Sequence, residues 1–239
     1  VFIVSSLTRE RGTKFSNPTR KKASRSSLPD LRFDVASLSS KAAYKLLSSA
    51  VVPRPIAWLT TLSENGGINL APFSFFNAVS SEPPMIAVSI EDRAPGVDKD
   101  SLANIKCTGS FVCHVVTEAL LEATVTSAIE FPSEISEVEI ARLKLIESTH
   151  IPVPRLSQAP VSMECELETL LRVGKAATLV IAKIVCFHVQ DELYKNGRID
   201  SERLQAVGRM SGGDFATTRE LISLPTPSYE AWLKEKAKT

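Results

Sequence analysis

The strongest constraint on this chain is the way short apolar runs are cut by turn-forming residues. Residues 54–80 read RPIAWLTTLSENGGINLAPFSFFNAVS, in which only Arg54 and Glu64 are charged. Residues 56–62 form a β-rich run, Glu64-Asn65-Gly66-Gly67 supplies what a tight hairpin turn demands, and residues 68–73 return. The prolines of Val51-Val52-Pro53-Arg54-Pro55 force an extended entry, because each fixes its own φ and restricts its predecessor. A hairpin this poor in charge, ending in a Pro-Phe-Ser-Phe-Phe-Asn loop, suits the edge of a flat aromatic ligand. A core hairpin with a packed loop has the same composition.

The same punctuation continues. Residues 85–90 (MIAVSI) and 111–116 (FVCHVV) are short strands of the buried type, and residues 161–173 and 178–189 are two long ones joined by Gly174-Lys175-Ala176-Ala177. Helical patterning is expected at 39–50, at 102–107 with a stop at Gly109, at 118–128, at 133–145, and in a short C-terminal stretch, 229–236. Six or seven mostly antiparallel strands with helices inserted midway predict a mainly β fold, a small barrel. There is no βαβ alternation, no G-x-G-x-x-G, no P-loop and no repeat period, so a dinucleotide-binding Rossmann domain has no support.

With 239 residues and 44% hydrophobic content, the chain can bury one full core plus extensions. A net charge of +1 offers no field for nucleic acid, and no apolar run approaches the ~20 residues of a membrane-spanning helix. Cys107, Cys113, Cys165 and Cys186 lack CxxC spacing and sit in apolar segments, so they read as buried free thiols of a reducing compartment. Cys186 and His188 share a strand face, but two residues do not make a metal site, and none is expected. Residues 1–32 are basic and rich in Ser, with Glu10 and Asp30 the sole acids. They resemble an organelle transit peptide, for a mitochondrion or plastid; the alternative is a disordered basic tail on a cytoplasmic protein. The expected division is therefore 1–32 as extension and 33–239 as the barrel domain.

Three clusters carry potential chemistry. Ser74 and Asn77 bring hydrogen-bonding groups beside Phe73, Phe75 and Phe76. Ser89, Arg93, Lys99, Asp100 and Ser101 combine cations and hydroxyls with a helix start, which is what a phosphate ester needs. Gly208-Arg209 and Ser211-Gly212-Gly213-Asp214-Phe215 allow a close backbone approach and offer a guanidinium fork. Each cluster taken alone also describes ordinary packing, capping or a solvated loop. His114, His150 and His188 stand in no catalytic spacing, and His114 and His188 read as hydrogen-bonded structural residues in strands.

Taken in order, residues 54–90, 99–116 (KDSLANIKCTGSFVCHVV at its core), 159–168, 179–193 and 207–215 resemble the flavin reductase-like, FMN-binding split-barrel family, in its flavoredoxin-type branch. The likeness runs from about Ala43 to Phe215. It implies a six-stranded split barrel holding FMN noncovalently at a homodimer interface, with electrons passing between a reduced nicotinamide and the flavin or an unknown acceptor. Carried over residue by residue, Arg54, Pro55 and Ile56 line the flavin ring, chiefly through backbone. Ser74, Phe75 and Asn77 meet its polar edge and ribityl chain, and Ser89, Arg93, Lys99, Asp100 and Ser101 form the phosphate end. Thr126, Ser127 and Arg209 add contacts from neighbouring loops. No catalytic side chain is implied, because the chemistry is the cofactor's. The alternative is a non-catalytic FMN- or small-ligand-binding module serving a redox partner; an oxidase of a phosphorylated vitamin would need a second phosphate site, and none is visible. Short reductase partners of two-component monooxygenases show Gly-Asp-His where this chain has Gly174-Lys175-Ala176, which argues against that role.

Overall fold

The computed structural model describes residues 30–132 and 135–236. The described residues divide between two units, split after Ser39. In the first unit, a 3-10 turn at Val35–Ser37 is capped by the Asp34 carboxylate, which accepts the Ala36 N–H at 3.1 Å. Most of the expected extension, 1–29, lies outside the described residues, and so does the transit-peptide reading placed on it. Among the described residues no helix is long and apolar enough to cross a membrane.

The second unit opens with α1 (Ser40–Ala50), the hairpin β1 (Ala57–Leu62) and β2 (Ile68–Phe73), and a second hairpin, β3 (Phe76–Ser81) and β4 (Pro84–Glu91). Then come α2 (Asp100–Thr108), β5 (Ser110–Val115), α3 (Leu121–Thr126), α4 (Glu137–Ile140), and the short pair β6 (Leu145–Ile146) and β7 (Arg155–Leu156). The long hairpin β8 (Val161–Val173) and β9 (Ala177–Val189) follows. The chain ends with β10 (Tyr194–Lys195), β11 (Arg198–Ile199), α5 (Ser201–Leu204), β12 (Val207–Arg209), β13 (Phe215–Thr217) and α6 (Tyr229–Lys236).

Seven strands make one antiparallel sheet in the order β2-β1-β5-β8-β9-β4-β3. Its two edges, β2 and β3, are consecutive in the chain and are joined only by Ser74 and Phe75. A sheet whose edges are tied by two residues must curl until those edges meet, and the result is a barrel with a seam at Ser74-Phe75. Bulges at Glu164/Cys165 and Leu167/Thr169 help the long β8 follow the curve.

The barrel core gathers Ala57, Leu59, Ile86, Val88, Phe111 and Val180, with Leu102 and Ile105 of α2 closing one end. A second cluster on the outer face holds Ile56, Trp58, Leu70, Val116, Leu120 and Leu156. β1 is thus covered on both faces, which is why its sequence is apolar without strict alternation. Trp58 Nε1 donates to Ser127 Oγ at 2.8 Å and ties α3 to this outer face. Gly109, at φ +66°, ends α2, and its N–H returns to Ile105 O at 2.9 Å.

Four expectations are corrected. The Ser-Phe-Asn stretch after the first hairpin is a strand, β3; as an edge it pairs only with β4 and needs no two-faced apolar pattern. The helix read over 133–145 is the four-residue α4, because Val138 packs on the outer cluster while Arg142 turns at φ 55° and Leu145 pairs with Leu156. Residues 133–134 of that span lie outside the described residues. Residues 118–128 hold a 3-10 turn, Glu118–Leu120, leading into α3. The four cysteines are all free thiols, but Cys107 is exposed and Cys186 partly so; Cys113 is buried, and burial pushes its thiol up to about 12.

His114 is the fully buried histidine of β5. Its Nδ1–H donates to Trp58 O at 2.9 Å, and its Nε2 accepts the Leu156 N–H at 2.9 Å, so both ring nitrogens are committed to the neutral form. Burial depresses its pKa to about 4. The unfolded chain then takes up a proton near pH 6.5 that the native state refuses until about pH 4, so stability falls across that window as the pH is lowered. Unfolding by denaturant is expected to show a loss of about 2 kcal/mol from this residue between pH 7 and pH 5. A His114→Gln protein, less stable at neutral pH, is expected to lose that part of the pH slope.

Candidate functional site

Arg54 enters the sheet just before β1 and is 5% exposed. Its Nη1 donates to Ser48 O at 2.6 Å and Val51 O at 2.8 Å, its Nη2 to Met210 O at 3.0 Å, and its Nε to Ser74 Oγ at 3.3 Å. Two of these acceptors are at the C-terminal end of α1, where the helix dipole is negative. Its backbone pairs with Arg209 in both directions, at 2.9 and 2.8 Å. The close approach anticipated at the clustered glycines occurs here: a Cβ on Gly208 would stand 2.7 Å from Pro53 Cβ.

Above this junction lies a hollow of about 440 Å³. Ile56, Phe73, Val125, Met210 and Phe215 supply apolar wall, while Ser74, Arg54 and Arg209 supply polar groups. Arg209 lies over the Phe215 ring at 4.6 Å and donates to Gly212 O. Pro72 and Phe73, at the end of β2, line this hollow and two smaller ones as well. One, of about 90 Å³, lies at the N-terminus of α2 with Arg93, Lys99, Asp100, Ser101 and Ser127 in its wall. The other, of about 130 Å³, is lined by Tyr44, Ser74, Phe75, Ser89 and Lys99. The three make one trough around the barrel seam.

The trough collects most of the residues expected from sequence, although several have their polar groups committed. Arg54 and Ile56 meet Ser74 and Arg209 in the main hollow. Ser101 Oγ accepts from Asn69 Nδ2 at 2.8 Å, and Ser127 Oγ serves Trp58 and the Thr124 carbonyl. Ser89 N–H bonds Phe75 O at 2.8 Å, extending the β3–β4 ladder by one position. Arg93 pairs with Asp100 at 2.5 Å, and that hydrogen bond raises its pKa, helped by Glu130 and Glu137. The α2 corner therefore holds two cations and three carboxylates. Three expected residues are elsewhere: Pro55 and Asn77 are exposed and line none of the three hollows, with Asn77 Oδ1 accepting the N–H of Ala78. The Thr126 hydroxyl donates to Glu122 O, and α3 presents Thr124 and Val125 to the hollow instead. Sequence reasoning also missed Tyr44, although an exposed aromatic on a short helix just before the charge-poor stretch was a usable signal.

Residues 48–203 match the family model described as the flavin reductase like domain. Among solved structures, the chain is similar to nitrilotriacetate monooxygenase component B from Bacillus cereus, with 36% identity, a TM-score of 0.81, and 83% of this chain and 100% of that one covered. It is also similar to the Pseudomonas fluorescens 2-nitrobenzoate 2-nitroreductase NbaA, with 31% identity, a TM-score of 0.77, and 83% and 98% covered. Flavoredoxin of Desulfovibrio vulgaris (Miyazaki F), at 16% identity and a TM-score of 0.65 over 76% and 94% of the two chains, shares the fold.

Because a side chain at Gly208 would strike Pro53, Gly208→Ala is expected to cost about 1–3 kcal/mol. The denaturation midpoint is expected to fall with the slope unchanged.

Proposed function

This chain belongs to the flavin reductase-like domain family, and on that premise we propose that it is an FMN-dependent oxidoreductase taking electrons from a reduced nicotinamide nucleotide. The observation that carries the reading is the continuous trough at Pro72 and Phe73, apolar at one end and bearing Lys99 and the start of α2 at the other. The donor set fits a flavin mononucleotide. Ile56, Phe73, Val125 and Phe215 offer apolar surface to a ring, Ser74 and Arg209 offer donors to its carbonyl edge, and Lys99 with the α2 amides faces an anion. Bound there, FMN would supply the ring that accepts and gives up a hydride. The chain's own residues bind, orient and keep water from one face. The described lining contains no histidine and no cysteine, in keeping with chemistry that needs no side-chain nucleophile.

The protein acts in this reading as a homodimer. Leu46 and Leu47, the apolar pair of α1, are 41% and 51% exposed, and Tyr44, Val125 and Ile129 stand exposed in the trough's own walls. A second copy packed there would cover this surface and bring Pro55 and Asn77 within reach of a shared site. Similarity to a monooxygenase component also favours electron transfer to a separate oxygenase as the physiological outlet.

Purified protein is expected to bind FMN stoichiometrically and turn yellow, and NADH or NADPH is expected to bleach it anaerobically. A colourless protein indifferent to added FMN overturns the reading; flavin binding with no oxidation of either nucleotide reduces it to a binding module. Ser74→Ala, which removes one hydroxyl from the trough and the acceptor of the Arg54 Nε–H, is expected to weaken FMN binding about tenfold and to lower stability by about 1 kcal/mol.

A further inference from the structure

Away from the trough, one face of the β8–β9 hairpin carries polar chemistry that flavin binding leaves unused. The ladder sets Ser162 opposite His188 and Glu164 opposite Cys186, so the four side chains form a square on one sheet face. The ligand atoms of Glu164, Cys186 and His188 all lie within 4.8 Å of one another. His188 Nε2 is 2.6 Å from Glu164 Oε1.

Glu164 is fully buried, and its carboxylate is fixed by backbone N–H groups of Thr149 at 2.6 Å, His150 at 2.7 Å and Ile151 at 3.2 Å. Outer donors that aim a carboxylate in this way are the usual support of a metal ligand. Cys186 Sγ has only a 3.8 Å contact to the Phe187 carbonyl. A separate observation points to the same place: Ser162 is fully buried, its Oγ has no hydrogen-bond partner, and it neighbours His188 across the ladder. A buried hydroxyl of this kind calls for a partner.

We infer that Glu164, Cys186 and His188 bind a divalent cation of the zinc class, with Ser162 hydrogen-bonded to a water in the fourth position. One carboxylate, one thiolate and one imidazole suit Zn²⁺ and not Mg²⁺ or Ca²⁺, which prefer oxygen throughout. In a tetrahedral zinc site the ligand atoms stand roughly 3.3–3.8 Å apart, so small rotations of the partly exposed Cys186 and His188 close the set on the fixed Glu164. On binding, the Cys186 thiol gives its proton to solvent, and the imidazole coordinates through Nε2 with its own proton on Nδ1. One proton is released per cation, and two anionic ligands neutralise the metal charge. The ion would staple β8 to β9 and, through Glu164, to residues 149–151.

The full chain, stripped with a chelator, is to be titrated with Zn²⁺ against a chromophoric competitor and with Cd²⁺ while the thiolate-to-cadmium charge-transfer band is followed. The expected result is one ion per chain, one proton released, and a raised melting temperature. Cys186→Ser is expected to abolish the band, and Cys186→Ser and His188→Gln each to weaken Zn²⁺ binding by at least the roughly 10–100-fold that loss of even an outer partner costs. Cys107→Ser, which removes the exposed thiol, is expected to change neither. Absence of stoichiometric uptake by the unmodified chain overturns the inference. So does uptake that survives Cys186→Ser, which marks an adventitious ion.

Discussion

A buried cation that, among the described residues, pairs with dipoles and no carboxylate joins α1, the barrel seam and the segment after β12. The Arg54 guanidinium binds two carbonyls at the end of α1, one in the glycine-bearing segment after β12, and the Ser74 hydroxyl. A charge taken out of water is costly unless dipoles replace the water, and here three carbonyls and a helix C-terminus do so. The acceptors lie in three different segments, the end of α1, the β2–β3 link and the stretch after β12. The helix buries only Ser48, and β12 is bridged to Arg54 through Arg209. Arg54 was expected to serve a ligand through its backbone; its side chain joins α1, Ser74 and the segment after β12 around the hollow.

The seam explains why the space is there. Curling brings β2 and β3 together at Ser74-Phe75, where hydrogen bonding between neighbouring strands gives way to a turn of the chain. The backbone there is no longer shielded by a strand on each side. Pro72 and Phe73 sit at this interruption, so apolar wall and the start of α2 converge there. The trough is where the sheet fails to close flush.

What could be read from sequence was what depends on near neighbours. The first hairpin, the stop of α2 at Gly109 and the long β8–β9 pair are set by turn residues and alternation within about a dozen positions. What could not be read depends on contacts distant in the chain. β3 is a strand because β4 pairs with it, and α4 is short because Val138 and Leu145 answer to different partners. Asn77 and Thr126 looked equivalent to Ser74 and Ser127 by residue type, yet strand direction and helix phase send them away from the trough. The square of Ser162, Glu164, Cys186 and His188 was half visible; the other half lies on the partner strand, one hairpin turn away.

The strand order also dictates a schedule. β1–β2, β3–β4 and β8–β9 are local hairpins, able to form as soon as each is made. β5 has no neighbour in sequence that is its neighbour in the sheet: it must be held between β1, made long before it, and β8, made well after it. Until both flank it, a strand buried along nearly its whole length stays exposed to solvent. Non-local pairing of this kind slows folding and prolongs the life of unpaired edges. The ribosome thus delivers three finished pieces and one loose apolar strand, and the barrel is secured only when the last long hairpin arrives to claim it.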